Sequence, residues 1–284
     1  MKFVSYNIQY GYGLDGRYDL ERAVSVVRDA DVIALQEVER HWRRTGFDDQ
    51  PALIAAMLPE HHWVYGPAFD MDASHRDGDG RLVNRRRQFG TMLLSRLPIV
   101  WSRLHLLPMR RMTHRLNTQN PALEGMIRTP AGPLRVFSLH LGHIDPAERL
   151  EQIDFLLARQ ARVGVEGGPW SGADDEAHRD WAHGDAEPEA PLDAVWMGDF
   201  NSQPDSAEYA RITGAGFADA ASLTCQDPAS FYTHERIHEG ALQRRRLDYC
   251  FVTGGLAGRV RALSVDAGNP ASDHFPVWTE IDMS

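Results

Sequence analysis

Asp199 and Asn201 stand at the end of the apolar run Val195-Trp196-Met197-Gly198 and just before Gln203-Pro204-Asp205, which stop a strand and turn the chain. On an extended backbone, residues two apart share a face, so an anion and a neutral amide would be presented together. The anion suits holding a metal or steering a water, and the amide suits holding a substrate oxygen. Gly-Asp-x-Asn also builds ordinary tight turns, so the segment gains meaning only from its company.

Five more polar clusters border apolar runs. Ser5-Tyr6-Asn7 follows residues 1–4, Gln36-Glu37 closes Asp31-Val32-Ile33-Ala34-Leu35, and Ser138-Leu139-His140 closes Leu134-Arg135-Val136-Phe137. Leu247-Asp248-Tyr249 and Ser272-Asp273-His274 flank the last strand-like runs. Singly, each residue has an ordinary explanation. Glu37 could pair with an arginine, Asn7 could cap a turn, His140 could be a satisfied core histidine, and Asp248 could bind the nearby Arg246. As a set, strand-end polar groups are hard to obtain from surface chance.

These motifs, in this order, resemble the endonuclease/exonuclease/phosphatase superfamily, the deoxyribonuclease-I-like hydrolases, from Asn7 to His274. The resemblance implies an α+β fold, a four-layer α/β/β/α sandwich. Two mixed β-sheets would lie face to face with helices outside, and the catalytic groups would gather at one rim. Phosphoester hydrolysis needs an activated water, stabilised charge on the phosphoryl oxygens and help for the leaving oxygen. Glu37 and Asp273 are hard oxygen ligands suited to Mg2+ or Mn2+, with Asn7 completing or bordering that site. Asp199 is assigned to the attacking water, assisted by Asn201. His274 would contact the phosphoryl group as imidazolium or hydrogen-bond donor, with Asp248 holding its ring and raising its pKa, and His140 would serve another non-bridging oxygen. Relatives often carry an acid that orients the histidine corresponding to His140. Residues 85–88, Arg-Arg-Arg-Gln, contain none.

The elements that must position these groups follow from pattern. Strands are predicted at residues 1–8, 31–38, 62–65, 89–95, 99–107, 122–128 and 134–141. Asp19 caps a helix to residue 28 whose Leu20, Ala23, Val24 and Val27 share a face, and residues 50–58 form a short helix behind Pro51. Asp145, Pro146 and Glu148 open a helix that buries Leu150, Ile153, Leu157 and Ala161, and Asp205 with Glu208 opens another to residue 213. Residues 66–88 read as a polar loop. Residues 164–191 read as a surface insertion in a single domain spanning 1–284, long and acidic enough to cover a cleft. Its His178 and His183 lack metal-ligand spacing.

With 30 Lys+Arg against 40 Asp+Glu, the net charge of -10 repels polyanions, so nucleic acid is a disfavoured partner unless a local basic groove outweighs the total. Basic clusters at residues 85–87, 110–115 and 244–246 could supply one, and Arg87, Arg115 and Arg246 are taken as substrate-binding. The preferred substrate is a small or lipid-derived phosphodiester. The alternatives are a nuclease and a sugar- or inositol-phosphate monoesterase. A non-catalytic binding protein would be expected to have lost an essential group, and none is missing. Cys225 and Cys250 are too few for a disulfide framework and read as small core residues. The first residues read as a strand rather than a signal peptide, and no run approaches membrane-spanning length, which predicts a cytoplasmic location. Oligomeric state is not legible from the sequence.

Overall fold

The computed structural model describes residues 1–173, 176, 178–224 and 231–284. The chain begins β1 (Lys2–Asn7), α1 (Leu20–Ser25), β2 (Val32–Arg40), α2 (Gln50–Met57) and β3 (His62–Asp72). A small hairpin of β4 (His75–Arg76) and β5 (Leu82–Val83) precedes β6 (Arg86–Ser95), β7 (Ile99–Leu106), β8 (Pro121–Thr129) and β9 (Gly132–His140). Then come α3 (Pro146–Glu166), β10 (Ala194–Asp199), α4 (Ala207–Gly214), β11 (Phe217–Asp219) and α5 (Ala220–Leu223). The last elements are β12 (His234–His238), β13 (Ala241–Arg245), β14 (Asp248–Thr253), α6 (Gly254–Ala257), β15 (Val260–Val265) and β16 (Val277–Ile281).

Two six-stranded mixed sheets result, in the orders β15-β16-β1-β2-β6-β3 and β11-β14-β10-β9-β8-β7. Strand alternation sorts their side chains into three cores. Phe3, Val32, Ala34, Val136, Val195 and Met197 meet between the sheets. Val4, Tyr6, Ile33 and Leu35 pack outward on Leu20, Ala23 and Val24 of α1 and Ile54 of α2. Phe137, Leu139, Trp196 and Phe251 pack on Ile153 and Leu156 of α3 and Ile212 of α4. Strands buried on both faces need apolar residues at every position, which is why they read as continuous runs. The expected α/β/β/α sandwich is the observed one.

Several local expectations change. Residues 66–88 are not one loop: β3 runs on to Asp72 and pairs with an early start of β6, Asp72 opposite Arg86 and Asp70 opposite Gln88. The register shifts between Pro67 and Phe69, which accommodates a proline that cannot donate to the ladder. In α3, Ile153 is buried, but Ala161 is exposed and Leu150 and Leu157 are only half-buried. The buried side instead includes Glu148, Arg149 and Gln152. These polar groups are paired: Arg149 Nε donates to Glu208 Oε1 at 2.8 Å, and Gln152 Nε2 donates to the Pro108 carbonyl at 2.9 Å. A hydrophobic pattern cannot anticipate such pairs. The cap of α4 is Ser206, which accepts from Tyr209 N.

Residues 164–166 of the segment read as an insertion are the last of α3, and the rest follows from that end of the helix, roughly 30 Å along the axis from its first turn. The segment is fastened to the early part of β7, where Trp101 Nε1 donates to the Glu189 carbonyl at 2.9 Å and Arg103 Nη2 to the Gly168 carbonyl at 3.1 Å. His178 and His183 are exposed beside Glu176 and Asp180. Cys250 is buried, as expected, whereas Cys225 lies outside the described residues. Among the described residues no helix is long and apolar enough to cross a membrane.

Candidate active site

β1 runs parallel to β2, and β9 runs parallel to β10, so the carboxyl ends of these two central pairs meet at one rim of the sandwich. The alternation that sends Phe3, Val136, Val195 and Cys250 between the sheets sends Asn7, His140, Asp199 and Asp248 the same way. Below them the sheets are tied by polar contacts: Gln36 Nε2 donates to Ser138 Oγ, and Ser138 Oγ donates to the Leu35 carbonyl, both at 3.1 Å.

Glu37 breaks the alternation. Its parity with Ile33 and Leu35 would place it against the helices, but the register of β2 on β6 shifts between Leu35 and Val38, and Glu37 takes φ 59°. This bulge re-aims the carboxylate to the rim, where Oε1 accepts from Asn7 Nδ2 at 3.1 Å. Asn7 Nδ2 also donates to Asp199 Oδ2 at 3.1 Å, while Asn7 Oδ1 accepts from Gln9 N at 3.0 Å. Asn7 therefore turns its NH2 group toward the carboxylates. It borders the acidic site and spaces Glu37 from Asp199, and its oxygen is committed elsewhere.

Gly198 is required by close approach, since a Cβ there would lie 2.0 Å from the Leu139 carbonyl oxygen. β10 stops at Asp199, so Asn201 does not share a face with it by alternation, as expected from an extended chain. Asn201 adopts φ 49°, donates its backbone N–H to Asp199 Oδ1 at 2.8 Å, and donates from Nδ2 to the Leu141 carbonyl at 2.9 Å. It locks the ends of β9 and β10 together and still lines the cavity.

Asp199 Oδ2 lies 3.6 Å from His274 Nε2 and 3.8 Å from His140 Nε2. His274 Nδ1 is 2.8 Å from Asp248 Oδ2. Burial works against an imidazolium at His274, but the Asp248 and Asp199 carboxylates outweigh it and hold its pKa well above the ordinary histidine value. Asp248 is fixed by Thr233 Oγ1, which accepts its backbone N–H at 3.0 Å. Among the described residues His140 Nδ1, which is buried, has no hydrogen-bond partner, consistent with the missing acid near residue 88.

Burial raises the Glu37 pKa, and the Asp273 carboxylate adds to the rise against the opposing pull of His140 and Asn7. At Asp273 burial also favours the neutral acid, but the rings of His234 and His274 prevail and lower the pKa. Among the described residues, no arginine or lysine pairs with either carboxylate, and both side chains keep a fifth of their surface exposed. Two accessible, like-charged hard-oxygen donors at one cavity fit a divalent cation, which would relieve their repulsion. Histidine-containing groups adjoin them: His234, Asp273 and His274, and Asp199, Asp248 and His274, each with donor atoms within 4.8 Å of one another.

Over this rim opens a cavity of about 660 Å³ containing Glu37, His140, Asp199, Asn201, Asp273 and His274. The sequence matches the model of the Endonuclease/Exonuclease/phosphatase family over residues 4–274. The chain belongs to this family.

Solved structures of the endonuclease/exonuclease/phosphatase type share its fold. One from Beutenbergia cavernae is 20% identical with a TM-score of 0.70, covering 100% of this chain and 72% of that one. A mannosyl-6-phosphatase from Bacteroides thetaiotaomicron is 18% identical with a TM-score of 0.63, covering 99% of each chain. A 3' phosphatase from Neisseria bound to product DNA hairpin is 17% identical with a TM-score of 0.60, also covering 99% of each. Among curated proteins no sequence match is found.

In this endonuclease/exonuclease/phosphatase chain the expected arginines divide. Arg115 lines the cavity. Arg246 does not bind there: it is 4% exposed, and its Nη2 donates to both oxygens of Asp219 at 2.8 Å. Arg87 stacks its guanidinium over Trp42 at 5.0 Å and Phe69 at 6.0 Å, supporting two rings that line the cavity without lining it itself. Sequence reasoning missed Gln9, whose Nε2 donates to Asp273 Oδ2 at 3.0 Å, and His234, whose ring meets His274 edge-on at 4.7 Å. It also missed Arg44, sandwiched between Tyr10 at 3.8 Å and Trp42 at 4.5 Å, and the cavity-lining Asn120 and Arg236. Arg245, which lines the cavity, belongs to the expected basic cluster 244–246, although Arg246 was the member taken as substrate-binding. No described residue of 164–191 lines the cavity.

Proposed function

We propose that the chain is a divalent-metal-dependent phosphoester hydrolase acting on a small phosphodiester, lipid-derived head groups included. The observation that carries this reading is the position of Asp199, whose Oδ2 is held by Asn7 and faced by both His140 and His274 inside a cavity of about 660 Å³. That volume suits a small-molecule ligand. The net charge of -10 also argues against a polyanion as the main substrate.

Glu37 and Asp273 would hold Mg2+ or Mn2+, which when bound supplies charge stabilisation to the phosphoryl and leaving oxygens. Asp199 accepts the proton of the attacking water, its orientation fixed by Asn7 and the Asn201 N–H. His274, kept protonated by Asp248, donates from Nε2 to a non-bridging oxygen. His140 donates from Nε2 to another. The rings of Trp42 and Phe69, 5.3 Å apart and tilted by 42°, give the organic part of the ester an apolar wall.

Family likeness supports ester hydrolysis in breadth, since the structural neighbours include a mannosyl-6-phosphatase, a 3' phosphatase and a retrotransposon endonuclease domain. The choice among them is tested with an activated diester, an activated monoester, a glycerophosphodiester and plasmid DNA, each with Mg2+ or Mn2+. Diester turnover with intact plasmid is expected. Plasmid nicking at a comparable rate would assign the chain to the nucleases instead.

A further inference from the structure

We propose that the cavity contains a second anion subsite, formed by Arg115, Arg236 and Arg245, which selects a hydroxylated substrate carrying another phosphate or carboxylate beside the scissile ester. This deepens the hydrolase reading and rests on it. The hairpin β12–β13 is the decisive element. Its register sets Arg245 opposite His234 and Arg236 opposite Gln243, so His234, Arg236 and Arg245 share one face. Those three residues line the catalytic cavity. The other face carries Glu235, Ile237, Leu242 and Arg244, and there Arg244 Nε is neutralised by Glu235 Oε2 at 2.8 Å.

No such neutralisation exists on the cavity side. Among the described residues no carboxylate pairs with Arg115, Arg236 or Arg245; the recorded side-chain bond of Arg245 goes to the neutral Gln243 Oε1 at 2.6 Å. Among the described residues the acids of the same cavity lie out of ion-pair reach of these arginines and gather instead on the side of Asn7, Gln9 and His234. In a chain of net charge -10, uncompensated guanidiniums brought from two separate segments to one cavity are an anion-binding feature rather than a charge average. Asn120 adds an independent sign. It is 3% exposed and adds a neutral amide to the cavity lining beside the guanidiniums. Guanidiniums for an anion, an amide for a hydroxyl and aromatic side chains for the organic part describe a hydroxylated phosphoester, diester included, that bears a second negative group.

The test is calorimetric binding with Mg2+ present, on the Asp199→Asn background so that turnover does not obscure it. The probes are fructose 6-phosphate, fructose 1,6-bisphosphate and a single-stranded DNA pentamer. The bisphosphate should bind about tenfold tighter than the monophosphate, as charge-assisted contacts predict. Adding Arg236→Gln with Arg245→Gln should bring that ratio to about twofold or less, Arg115→Gln should lower it by itself, and Arg244→Gln on the opposite face should leave it unchanged. Circular dichroism checks that each variant folds, and Arg115→Gln tests the subsite from a separate segment if the hairpin variants do not. Equal binding of the two sugars, or a ratio that survives loss of these arginines, would overturn the subsite. Tighter binding of the pentamer through the same arginines would overturn it in favour of a nucleic-acid backbone. Binding that behaves as expected while the parent enzyme hydrolyses no ester would sink the hydrolase reading and spare the subsite.

Discussion

His274 Nδ1 and Asp248 Oδ2 are 2.8 Å apart, and the other ring nitrogen of His274 faces Asp199. Asp248 thus fixes both the direction and the charge of the imidazole from a position with no exposure of its own. Replacing Asp248 with Asn keeps a polar partner and removes the charge. We expect kcat to fall by roughly 10²–10⁴, with KM changed far less, because the lost interaction acts on the transition state. Steady-state kinetics on an activated diester checks this, and a variant altered in KM alone would deny Asp248 its part.

Arg246 and Arg245 adjoin in sequence and differ in work. Arg246 is the buried partner of Asp219, so Arg246→Gln strands a buried carboxylate and should cost about 3–5 kcal/mol of stability. Arg245→Gln should cost under about 1 kcal/mol, since it breaks no ion pair. Urea denaturation of the two variants measures the contrast, and similar midpoints would contradict it.

Gly198 admits no side chain because its Cβ would meet the Leu139 carbonyl at 2.0 Å. Gly198→Ala must push β9 from β10 directly before Asp199. A loss of about 1–3 kcal/mol is expected, with a fall in kcat larger than in the more strongly destabilised Arg246→Gln variant. Unimpaired turnover in Gly198→Ala would show that the spacing of β9 and β10 does not set the site.

The cluster of Glu124, His105 and Arg135 gives a pH prediction away from the site. Burial alone would raise the Glu124 pKa, but the His105 hydrogen bond at 2.8 Å and the Arg135 charge at 2.9 Å lower it below the ordinary value. A carboxyl with a depressed folded pKa contributes stability that is complete above its unfolded value of about 4.3 and is lost as pH falls through the folded one. Glu124→Gln should therefore be less stable than the parent near neutrality, and the gap should narrow with acidification below about pH 4. Denaturation midpoints across that range test it; a gap that widens in acid has the wrong sign.

The legible part of this protein was the part written as apolar runs with polar ends. Asn7, His140, Asp199 and Asp248 are legible as polar ends of strands buried on both faces, whereas Glu37 lies within β2 and Asp273 and His274 lie just before β16, legible through the motifs that carry them. What sequence could not supply was pairing across space. Arg246 reads as a free cation until Asp219, 27 residues earlier, is folded against it. The length of β3 depends on its ladder with β6, and the buried polar side of α3 depends on Glu208 in α4. Glu37 was found for its type, although alternation pointed it the wrong way. Only the bulge explains why it reaches the rim.

The most direct test of the account is Mn2+-dependent hydrolysis of an activated phosphodiester by the parent chain and by Asp199→Asn, with and without excess chelator. Turnover by the parent that chelator abolishes is expected, with a loss of roughly 10²–10⁴ in kcat for the folded variant. Parent and variant turning over alike, or chelator leaving the rate untouched, would contradict it.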